Sequence, residues 1–588
     1  MNVELKNFLD TYLEKEVDTT KISVFPLPCG IGKSEYIKYT IAETLQNGKG
    51  LIVVTDQIDR LKNYTVAQDE ELTEYINKNK KFIAILTSET IKEELKDIHS
   101  KPVVLMSTQR YFSLTKDEII NYTSNHWVKR NKIIFDEKPY ILDARRVTIN
   151  SLNKIDTALK QALDDTIDQK NKVKLIECWK VISEKLQTAL DVNEEQNSGY
   201  KREGYFNFND LKTEDDIYIF LKLYPKYKRQ LNKYNLDVVK DIEAVIQLFN
   251  EGVITSQKVK VKKSGKEYNK YFTVIVNHVN KLFEINAKIY VLDGTADISP
   301  EYQLKCFELI NCDNFQRDLS NLTINIIDVN TSKERLTKLG AKSDSLITTI
   351  IDYVKSLPQN IDTVFTYKDI SQKFENNFKN VNWFGNIKGS NQYRGVKHIC
   401  QVGLHRYSEL IYMLYANAIN QFNDSDKTFN QRIYDMETID NIRCNLIITD
   451  IEQNLFRCKI RNNDNREQCT YTLICTVKEK NELFEGYQPI INMIKSRYEK
   501  LGAIVNVVDT PAQFRLFKIK ERKQDTSAKK IIRWLDAKEK GYVFKIADML
   551  KDLKINHKQF DKIKRNNVSI MDLFNSIKTE KRGYYEIK

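Results

Sequence analysis

Residues 27–34 read Leu27-Pro28-Cys29-Gly30-Ile31-Gly32-Lys33-Ser34, which is the composition of a phosphate-binding loop. An apolar, β-branched run at residues 22–25 precedes it, and a helix-like stretch at 35–45 follows it. The glycines let the backbone curl so that consecutive N–H groups point at phosphate oxygens. In such a loop Lys33 reaches the β- and γ-phosphates and the Ser34 hydroxyl ligates Mg²⁺. We therefore predict that this loop binds ATP.

A second string, Ile133-Ile134-Phe135-Asp136-Glu137-Lys138-Pro139, is an apolar strand that ends in two adjacent carboxylates. Asp136 is predicted to hold Mg²⁺, directly or through water, and Glu137 to orient and activate the attacking water. A strand that ends in Asp-Glu is common by itself, since carboxylates are well solvated where strands reach the surface. Together with the glycine loop, in this order and each at a strand end, the pair predicts an ATPase.

Composition narrows the class of protein. A chain of 588 residues predicts roughly three or four domains with room for large cores. The net charge of +13 favours an acidic polymer as partner, although a solvated lysine-rich surface is the alternative. The N-terminus has no secretory pattern and no apolar run is long enough to span a bilayer, so we expect a cytoplasmic protein without a membrane partner. The nine cysteines are scattered without Cys-x-x-Cys, which argues against a zinc ribbon and predicts reduced thiols.

Short apolar runs alternate with polar helical stretches through the first part of the chain. Strands are predicted at 22–25, 50–57, 82–86, 102–110 and 133–137, with a return strand at 288–293. This alternation predicts a doubly wound parallel sheet, whose ligand lies at the carboxyl ends of the strands. Between 142 and 285, apolar residues at three- and four-residue spacing predict a mostly helical insertion, with a β-hairpin at 258–276. The insertion is either a stability element or a clamp or wedge on a nucleic acid.

A second sheet domain is predicted after the insertion, with strands at 322–329, 362–367, 381–385, 398–403, 444–448 and 471–475. It has no phosphate loop of its own, which suggests that ATP lies between two domains and that the second donates an arginine. Residues 450–461 are predicted to form a helix with Gln453, Arg457 and Arg461 on one face. Arg457 is the predicted donor to the γ-phosphate. The alternative is a basic surface helix whose arginines pair with Glu452 or Asp464.

The motifs together resemble those of the superfamily 2 (DEAD/DEAH-like) helicases. Pro28–Ser34 resembles motif I, Asp136–Pro139 motif II, Gly294–Ala296 motif III and Gln453–Arg461 motif VI, although Lys138-Pro139 departs from the usual motif II residues. The resemblance implies two RecA-like domains that use ATP and Mg²⁺, with Glu137, Lys33, Arg457 and Gln453 in catalysis and Arg461 on the nucleotide. It also implies nucleic-acid contacts at the positions of motifs Ia, Ib and V, which are Thr55, Thr108, Gly389, Ser390 and Asn391.

The C-terminal tail is basic, with 18 Lys and Arg against 10 Asp and Glu in residues 521–588. Three short helices, at 531–535, 544–553 and from 560 onward, and a final strand at 583–587 are predicted to form a winged-helix-like module. Such a module binds duplex phosphates or serves as a solvated cap. We predict a first RecA-like domain at 1–141 and 286–318, the insertion at 142–285, a second RecA-like domain at 319–518 and the module at 519–588.

The predicted function is that of an ATP-dependent helicase or translocase on nucleic acid, with DNA favoured over RNA. The alternative is a nucleotide-dependent switch protein of a mobile element or its defence, which binds nucleic acid without unwinding it. The sequence does not separate the two, because both use the same loop and carboxylates.

Overall fold

The structure is a computed structural model of the 588-residue chain. It describes residues 2–14, 20–56, 58–87, 89–114, 129–163, 168–196, 203–206, 214–251, 254–257, 271–283, 287–338, 340–361, 363–386, 392–407, 411–412, 414–416, 418–419, 436–476, 490–517, 527–539, 541–566, 574, 577, 579 and 584–587.

The first part of the chain alternates strands and helices, as predicted. In chain order the elements are α1 (Val3–Glu14), β1 (Ile22–Phe25), α2 (Lys33–Asn47), β2 (Gly50–Thr55), α3 (Ile58–Asn63), α4 (Glu70–Lys78), β3 (Ile83–Leu86), α5 (Ile91–Glu94), β4 (Val103–Ser107), α6 (Thr108–Ser113) and β5 (Arg130–Asp136). Every residue of β1 and β2 is buried, which is the pattern of parallel strands covered on both faces.

The insertion contains both helices and an antiparallel sheet. Its elements are β6 (Leu142–Thr148), α7 (Ile149–Gln161), α8 (Gln169–Gln196), β7 (Glu203–Phe206), α9 (Asp215–Tyr234), α10 (Leu236–Glu251), β8 (Ile254–Gln257), β9 (Tyr271–Asn277) and α11 (Val279–Phe283). The strands form one sheet in the order β6-β9-β8-β7. Of the predicted hairpin, residues 258–270 lie outside the described residues, and Tyr271–Asn277 is a strand paired with both β6 and β8.

Two later strands complete the first sheet. These are β10 (Lys288–Leu292) and β11 (Phe307–Leu309). The seven strands that the structure describes have the order β11-β1-β10-β5-β2-β4-β3. All their pairings are parallel. The loop after β1 and the carboxylates after β5 therefore lie at the same edge, on either side of β10.

Within the described residues, the second sheet has six parallel strands. Its elements are β12 (Leu322–Asp328), α12 (Lys333–Thr337), α13 (Ala341–Ser356), β13 (Thr363–Thr366), α14 (Lys368–Glu375), β14 (Asn380–Trp383), β15 (His398–Val402), α15 (Met436–Leu455), β16 (Cys469–Cys475), α16 (Ile490–Tyr498) and β17 (Ile504–Val508). The strand order is β14-β13-β15-β16-β12-β17. Two α/β domains with parallel sheets thus confirm the predicted pair of RecA-like domains.

One predicted strand of the second domain is wrong, because residues 444–448 lie within helix α15. This helix contacts two cores. Ile442 and Leu446 pack with the first domain, whereas Ile447, Ile451 and Leu455 pack under the second sheet. A helix buried on two sides has no polar face, so its sequence resembles a buried strand.

A segment between β15 and α15 also packs on the first domain. Tyr412, Leu414, Ala416, Ala418 and Ile419 belong to the same buried cluster as strand residues of the first sheet. The hydroxyl of Tyr415 donates to the carbonyl of Leu142 over 3.2 Å. Part of the second domain's chain is therefore built into the core of the first.

The tail folds around its own small core. Helices α17 (Ser527–Asp536), α18 (Ile546–Asp552) and α19 (His557–Asn566) accompany an antiparallel pair of strands, β18 (Val543–Lys545) and β19 (Tyr584–Glu586). The order helix, strand, helix, helix, strand is that of a winged-helix module. Phe544, predicted to begin a helix, lies in β18, where its ring stacks on Tyr585. Among the helices that the structure describes, none is long and apolar enough to cross a membrane.

Candidate active site between the two sheets

The loop after β1 has the geometry of a phosphate cradle. Gly30 and Gly32 have φ of 86° and 110°, in the left-handed region that glycine adopts without strain. Helix α2 begins at Lys33 without a side-chain cap, so the N-terminal end of the helix dipole faces the loop. Lys33 is 8 % exposed, and its Nζ donates to the carbonyl of Leu27 over 2.7 Å. An anion at this loop would meet backbone N–H groups and one buried ammonium.

The second domain closes over this loop. A Cβ atom at Gly30 would overlap the backbone oxygen of Arg461, so any other residue would push the two backbones apart. Arg317, which links the two sheets, donates from Nη1 to the carbonyls of Cys29 (2.8 Å) and Arg461 (2.9 Å). The guanidinium of Arg317 therefore holds the loop of one domain against the backbone of the other.

The carboxylates after β5 face the start of α2. Ser34 Oγ lies 3.4 Å from Asp136 Oδ2. Two oxygen ligands of one octahedral Mg²⁺ lie about 3 Å apart, so this hydroxyl and this carboxylate fit the ion. The hydroxyl of Tyr64 also donates to Asp136 Oδ2, which fixes the orientation of that carboxylate.

Arg60 on α3 pairs with both motif II carboxylates. Its Nη2 lies 2.8 Å from Glu137 Oε1 and its Nη1 3.8 Å from Asp136 Oδ2. Burial alone would raise the pKa of Glu137, but Arg60 and Arg457 outweigh it and lower that pKa to about 2. Burial, together with repulsion by Glu137, raises the pKa of Asp56 to about 6. Glu137 is thus ionised at neutral pH, as a general base must be.

The predicted residues of the second domain reach the same cavity by a different geometry. The expected continuous helix face is wrong, because α15 ends at Leu455 and Arg461 lies in a short 3₁₀ turn. Gln453 nevertheless lines one cavity with Arg457 and Arg461, together with first-domain residues that include Cys29, Lys33, Glu137, Asp293, Gly294 and Thr295. The Oε1 atom of Gln453 is buried, with no hydrogen-bond partner among the described residues. Three basic side chains and an amide therefore converge where a triphosphate would lie.

The motif III-like loop links this cavity to the second domain. Thr295 Oγ1 and the hydroxyl of Tyr302 donate to the two oxygens of Asp293, over 3.0 and 2.9 Å. Asp297, two residues after Thr295, accepts two hydrogen bonds from Arg497 on α16, at 2.5 and 3.1 Å. Arg497 also pairs with Glu452, one residue before Gln453. The loop is therefore tied to the end of α15.

Lys138, which departs from the usual motif II residues, has a partner of its own. Its Nζ lies 2.9 Å from Glu301 Oε1, and Glu301 is 3 % exposed. Burial would lower the pKa of Lys138, but Glu301 raises it above its ordinary value. Motif II and the segment after motif III are thus joined by an ion pair whose carboxylate is buried.

The predicted nucleic-acid residues are less accessible than expected. Thr55 is fully buried and Thr108 is 2 % exposed, so neither side chain faces solvent. Thr55 Oγ1 donates instead to Asp56 over 3.4 Å. Gly389, Ser390 and Asn391 lie outside the described residues. Nucleic-acid contact at these five positions stays a prediction.

Sequence reasoning missed Arg60, Tyr64, Arg317 and Arg497. Asp56 and Arg60 are four residues apart directly after β2, a spacing that predicts a pair on one helix face. Their relation to Glu137 depends on β2 and β5 being neighbours, which sequence spacing does not show. Arg317 lies in a connection without any periodic pattern.

Comparisons with known proteins give distant likenesses. No protein-family model and no curated protein sequence matches this chain. Solved structures similar to it include the DEAD-box helicase Mss116 bound to ssRNA and UDP-BeF, at 10 % identity over 94 % of this chain and 86 % of that chain, with a TM-score of 0.31. The DUF1998 helicase MrfA bound to DNA and AMPPNP matches at 9 % identity over 91 % of this chain and 57 % of that chain, with a TM-score of 0.30.

A third similar structure is the ATP-dependent Type ISP restriction-modification enzyme LlaBIII bound to DNA, at 10 % identity and a TM-score of 0.34. The match covers 91 % of this chain and 34 % of that chain.

Proposed function

We propose that this chain is an ATP-dependent helicase or translocase, which hydrolyses ATP in the cleft between its two parallel sheets and uses the cycle to move on nucleic acid. One observation carries the proposal. Lys33 and Glu137 of the first domain line a single cavity with Gln453, Arg457 and Arg461 of the second. Neither domain alone has both the phosphate cradle and the arginines, so hydrolysis depends on how the domains are arranged.

Each residue has a role that follows from its position. The loop N–H groups and Lys33 bind the β- and γ-phosphates, while Arg457 and Arg461 stabilise charge that develops on the γ-phosphate. Glu137 accepts a proton from the attacking water. The amide oxygen of Gln453, which has no hydrogen-bond partner among the described residues, orients that water. Ser34 and Asp136 would hold Mg²⁺, which supplies charge neutralisation at the phosphates.

Domain movement is coupled to this site through the contacts of two arginines. Arg317 connects the phosphate loop to the turn that carries Arg461, and Arg497 connects the motif III-like loop to the end of α15. When phosphate leaves, the second domain loses the charge that holds Arg457 and Arg461. Opening then shifts the two domains relative to a bound strand, which is the elementary step of a translocase.

The second candidate is the nucleotide-dependent switch, and the Arg60–Glu137 ion pair favours it. A base engaged by a guanidinium at 2.8 Å is a weak proton acceptor until the pair opens. Hydrolysis would then be slow and gated. In a motor, the bound nucleic-acid strand opens the Arg60–Glu137 ion pair and speeds ATP hydrolysis. In a switch, nucleic acid does not change the rate of hydrolysis.

The rate of ATP hydrolysis with and without single-stranded DNA, single-stranded RNA and duplex separates these candidates. A motor shows turnover stimulated several-fold by one of them, and Lys33→Ala abolishes both basal and stimulated rates. The control is Lys49→Ala, at an exposed position just after α2. Slow turnover indifferent to every nucleic acid would favour the switch, and wild-type turnover in Lys33→Ala would contradict the assignment of the loop.

A further inference from the structure

A second cavity, separate from the ATP cleft, lies where the insertion meets the carboxyl end of β4. Its volume is about 250 Å³. Helix α6 of the first domain forms one wall with Gln109 and Phe112, while β6 and α10 of the insertion form the others. Thr108, at the motif Ib position, lines it as well. The cavity therefore adjoins the place where a bound strand is expected to run.

The walls of this cavity are held in place by direct contacts. Asn232 on α9 donates to the carbonyl of Ser113 over 3.2 Å, and Lys281 on α11 donates to the carbonyl of Phe112. Both contacts tie the insertion to the last turn of α6. The cavity is thus a built feature of the domain junction.

The charges that line the cavity are neutralised in pairs. Asp143 and Arg145, two residues apart on one face of β6, form an ion pair at 2.6 Å. Glu243 on α10 lies 2.6 Å from the ammonium of Lys228 and 3.7 Å from that of Lys281. Lys240, the other charged residue of the lining, lies 3.8 Å from the carboxylate of Asp237 on the same helix. A phosphate would have to compete with a carboxylate for each of these cations. The cavity suits an uncharged group with hydrogen-bonding edges.

The uncharged part of the lining is mostly aromatic and aliphatic. The ring of His278 lies 5.3 Å from that of Phe112, and burial lowers the pKa of this histidine to about 4. At neutral pH its imidazole is therefore uncharged, with one donor and one acceptor nitrogen. Buried Val239 and Val276 complete an apolar surface. A flat heterocycle matches both the apolar walls and the polar edge.

Tyr140 and Gln109 stand at the opening of the cavity. Tyr140 is 57 % exposed, although it is a large aromatic side chain, and Gln109 is exposed at the first turn of α6. An exposed ring can stack on any base, and an amide can pair with a base edge. We propose that this cavity receives one unstacked nucleobase of a bound single strand, stacked on Tyr140 and hydrogen-bonded by Gln109. This site rests on the proposed nucleic-acid function and extends it to a contact with a base.

The test uses the full chain and a hairpin whose single-stranded overhang carries one abasic nucleotide, moved one position at a time. A non-hydrolysable ATP analogue holds the complex in one register. For the wild type, affinity should fall about tenfold at one position and little at the others, as expected for loss of one stacked base. Tyr140→Ala should bind the intact overhang as weakly as the wild type binds that abasic one, and should lose the position dependence.

Tyr218→Ala is the matched control, because Tyr218 is an exposed tyrosine (61 %) on α9 of the same insertion. It should keep the wild-type profile. Gln109→Ala is a second variant at an exposed position, and it should weaken the intact overhang while leaving the abasic one unchanged. DNA and RNA overhangs are scanned in parallel. A position-dependent loss of affinity in only one of the two series also shows whether the bound strand is DNA or RNA.

If the wild type binds every overhang tightly and its affinity does not depend on the abasic position, the base site is overturned. The helicase or translocase proposal then remains intact. Absence of binding to every overhang, together with ATP hydrolysis indifferent to nucleic acid, would instead contradict the proposed function. Unchanged profiles in both Tyr140→Ala and Gln109→Ala, with a dip in the wild type, would place the base elsewhere and also overturn this site.

Discussion

The two parallel sheets have the same topology and different chemistry. Without its edge strand β3, the first sheet has the order β11-β1-β10-β5-β2-β4, and the second has β17-β12-β16-β15-β13-β14. If the strands of each sheet are ranked by their position along the chain, both sheets have the same spatial order. By this ranking, β12 corresponds to β1 and β15 to β5. After β12 the chain has Val329-Asn330-Thr331-Ser332 in place of a glycine loop, and β15 ends in Val402 where β5 ends in Asp136.

The loop after β12 uses its polar groups internally. Thr331 is 1 % exposed, its Oγ1 donates to the carbonyl of Ile474, and its own carbonyl accepts from the hydroxyl of Tyr367. The threonine that stands in place of the glycine loop thus serves the packing of its own sheet. The shared topology therefore provides only a row of strand ends at one edge of each sheet. A few residues decide what such an edge does. In the first sheet they form the predicted nucleotide site, and in the second domain Arg457 completes that site.

Arg457→Ala tests whether the second domain completes the ATPase site of the first. Of the changes considered, we expect it to lower ATP turnover the most. Turnover should fall about a thousandfold or more, because an arginine that stabilises the transition-state charge from that side is removed. Binding of a fluorescent ATP analogue should remain, since the cradle belongs to the first domain. Arg466→Ala, at an exposed position of the same domain, is the control. A loss under tenfold would assign the role to Arg461 or to neither.

Glu137→Gln tests the contribution of the first sheet alone. The amide keeps the shape and loses the base, so turnover should fall about a hundredfold while ATP still binds. The variant should accumulate in the closed state, measured as slower release of labelled nucleotide. Glu308→Gln, at an exposed position on β11, should behave as the wild type. Unchanged turnover in Glu137→Gln would move the base elsewhere.

Arg60→Ala should change the pH dependence of turnover, because Arg60 is paired with Glu137. The pKa of Glu137, about 2, lies below its ordinary value, so the stabilisation from its charge is present above the ordinary carboxyl range and lost as pH falls toward 2. Without Arg60, burial should raise this pKa by about one unit or more, so the acid limb of turnover moves to higher pH.

The rate–pH profile of Arg60→Ala is measured in wild-type and Asp56→Asn backgrounds, because the pKa of Asp56 is raised to about 6 and would add a limb of its own. The acid limb should move upward in both backgrounds. A limb that moves only when Asp56 is present would assign the effect to Asp56 instead.

Removal of residues 521–588 should have the smallest effect on the ATPase, because the site residues of both sheets lie outside them. If the module binds duplex phosphates, the slope of log K against log salt becomes shallower by about 0.9 for each phosphate that the shortened chain no longer neutralises. Affinity then falls most at low salt. A cap instead predicts unchanged affinity and a lower melting temperature. Duplex binding across a salt series, beside thermal unfolding, distinguishes them.

The sequence predicted those features that depend on local pattern. Gly30, Lys33, Asp136 and the parallel strands follow from composition and spacing, and the structure places them together. The strand predicted at 444–448 was wrong because α15 is buried by two domains and so lacks the periodicity of a surface helix. The clustering of Arg60, Arg317 and Arg497 around the cleft depends on which strands become neighbours, and that is a property of the folded chain.

The segment of the second domain that contains Tyr412 and Ile419 packs in the core of the first domain. This packing limits where the protein can be truncated. A fragment that stops at the connection near residue 318 would expose the apolar surface that this segment and Leu446 cover in the whole chain. We therefore expect such a fragment to aggregate on expression, whereas the two lobes melt together in a single cooperative transition. The lobes are separate in topology, but their shared core predicts that they fold and unfold as one unit.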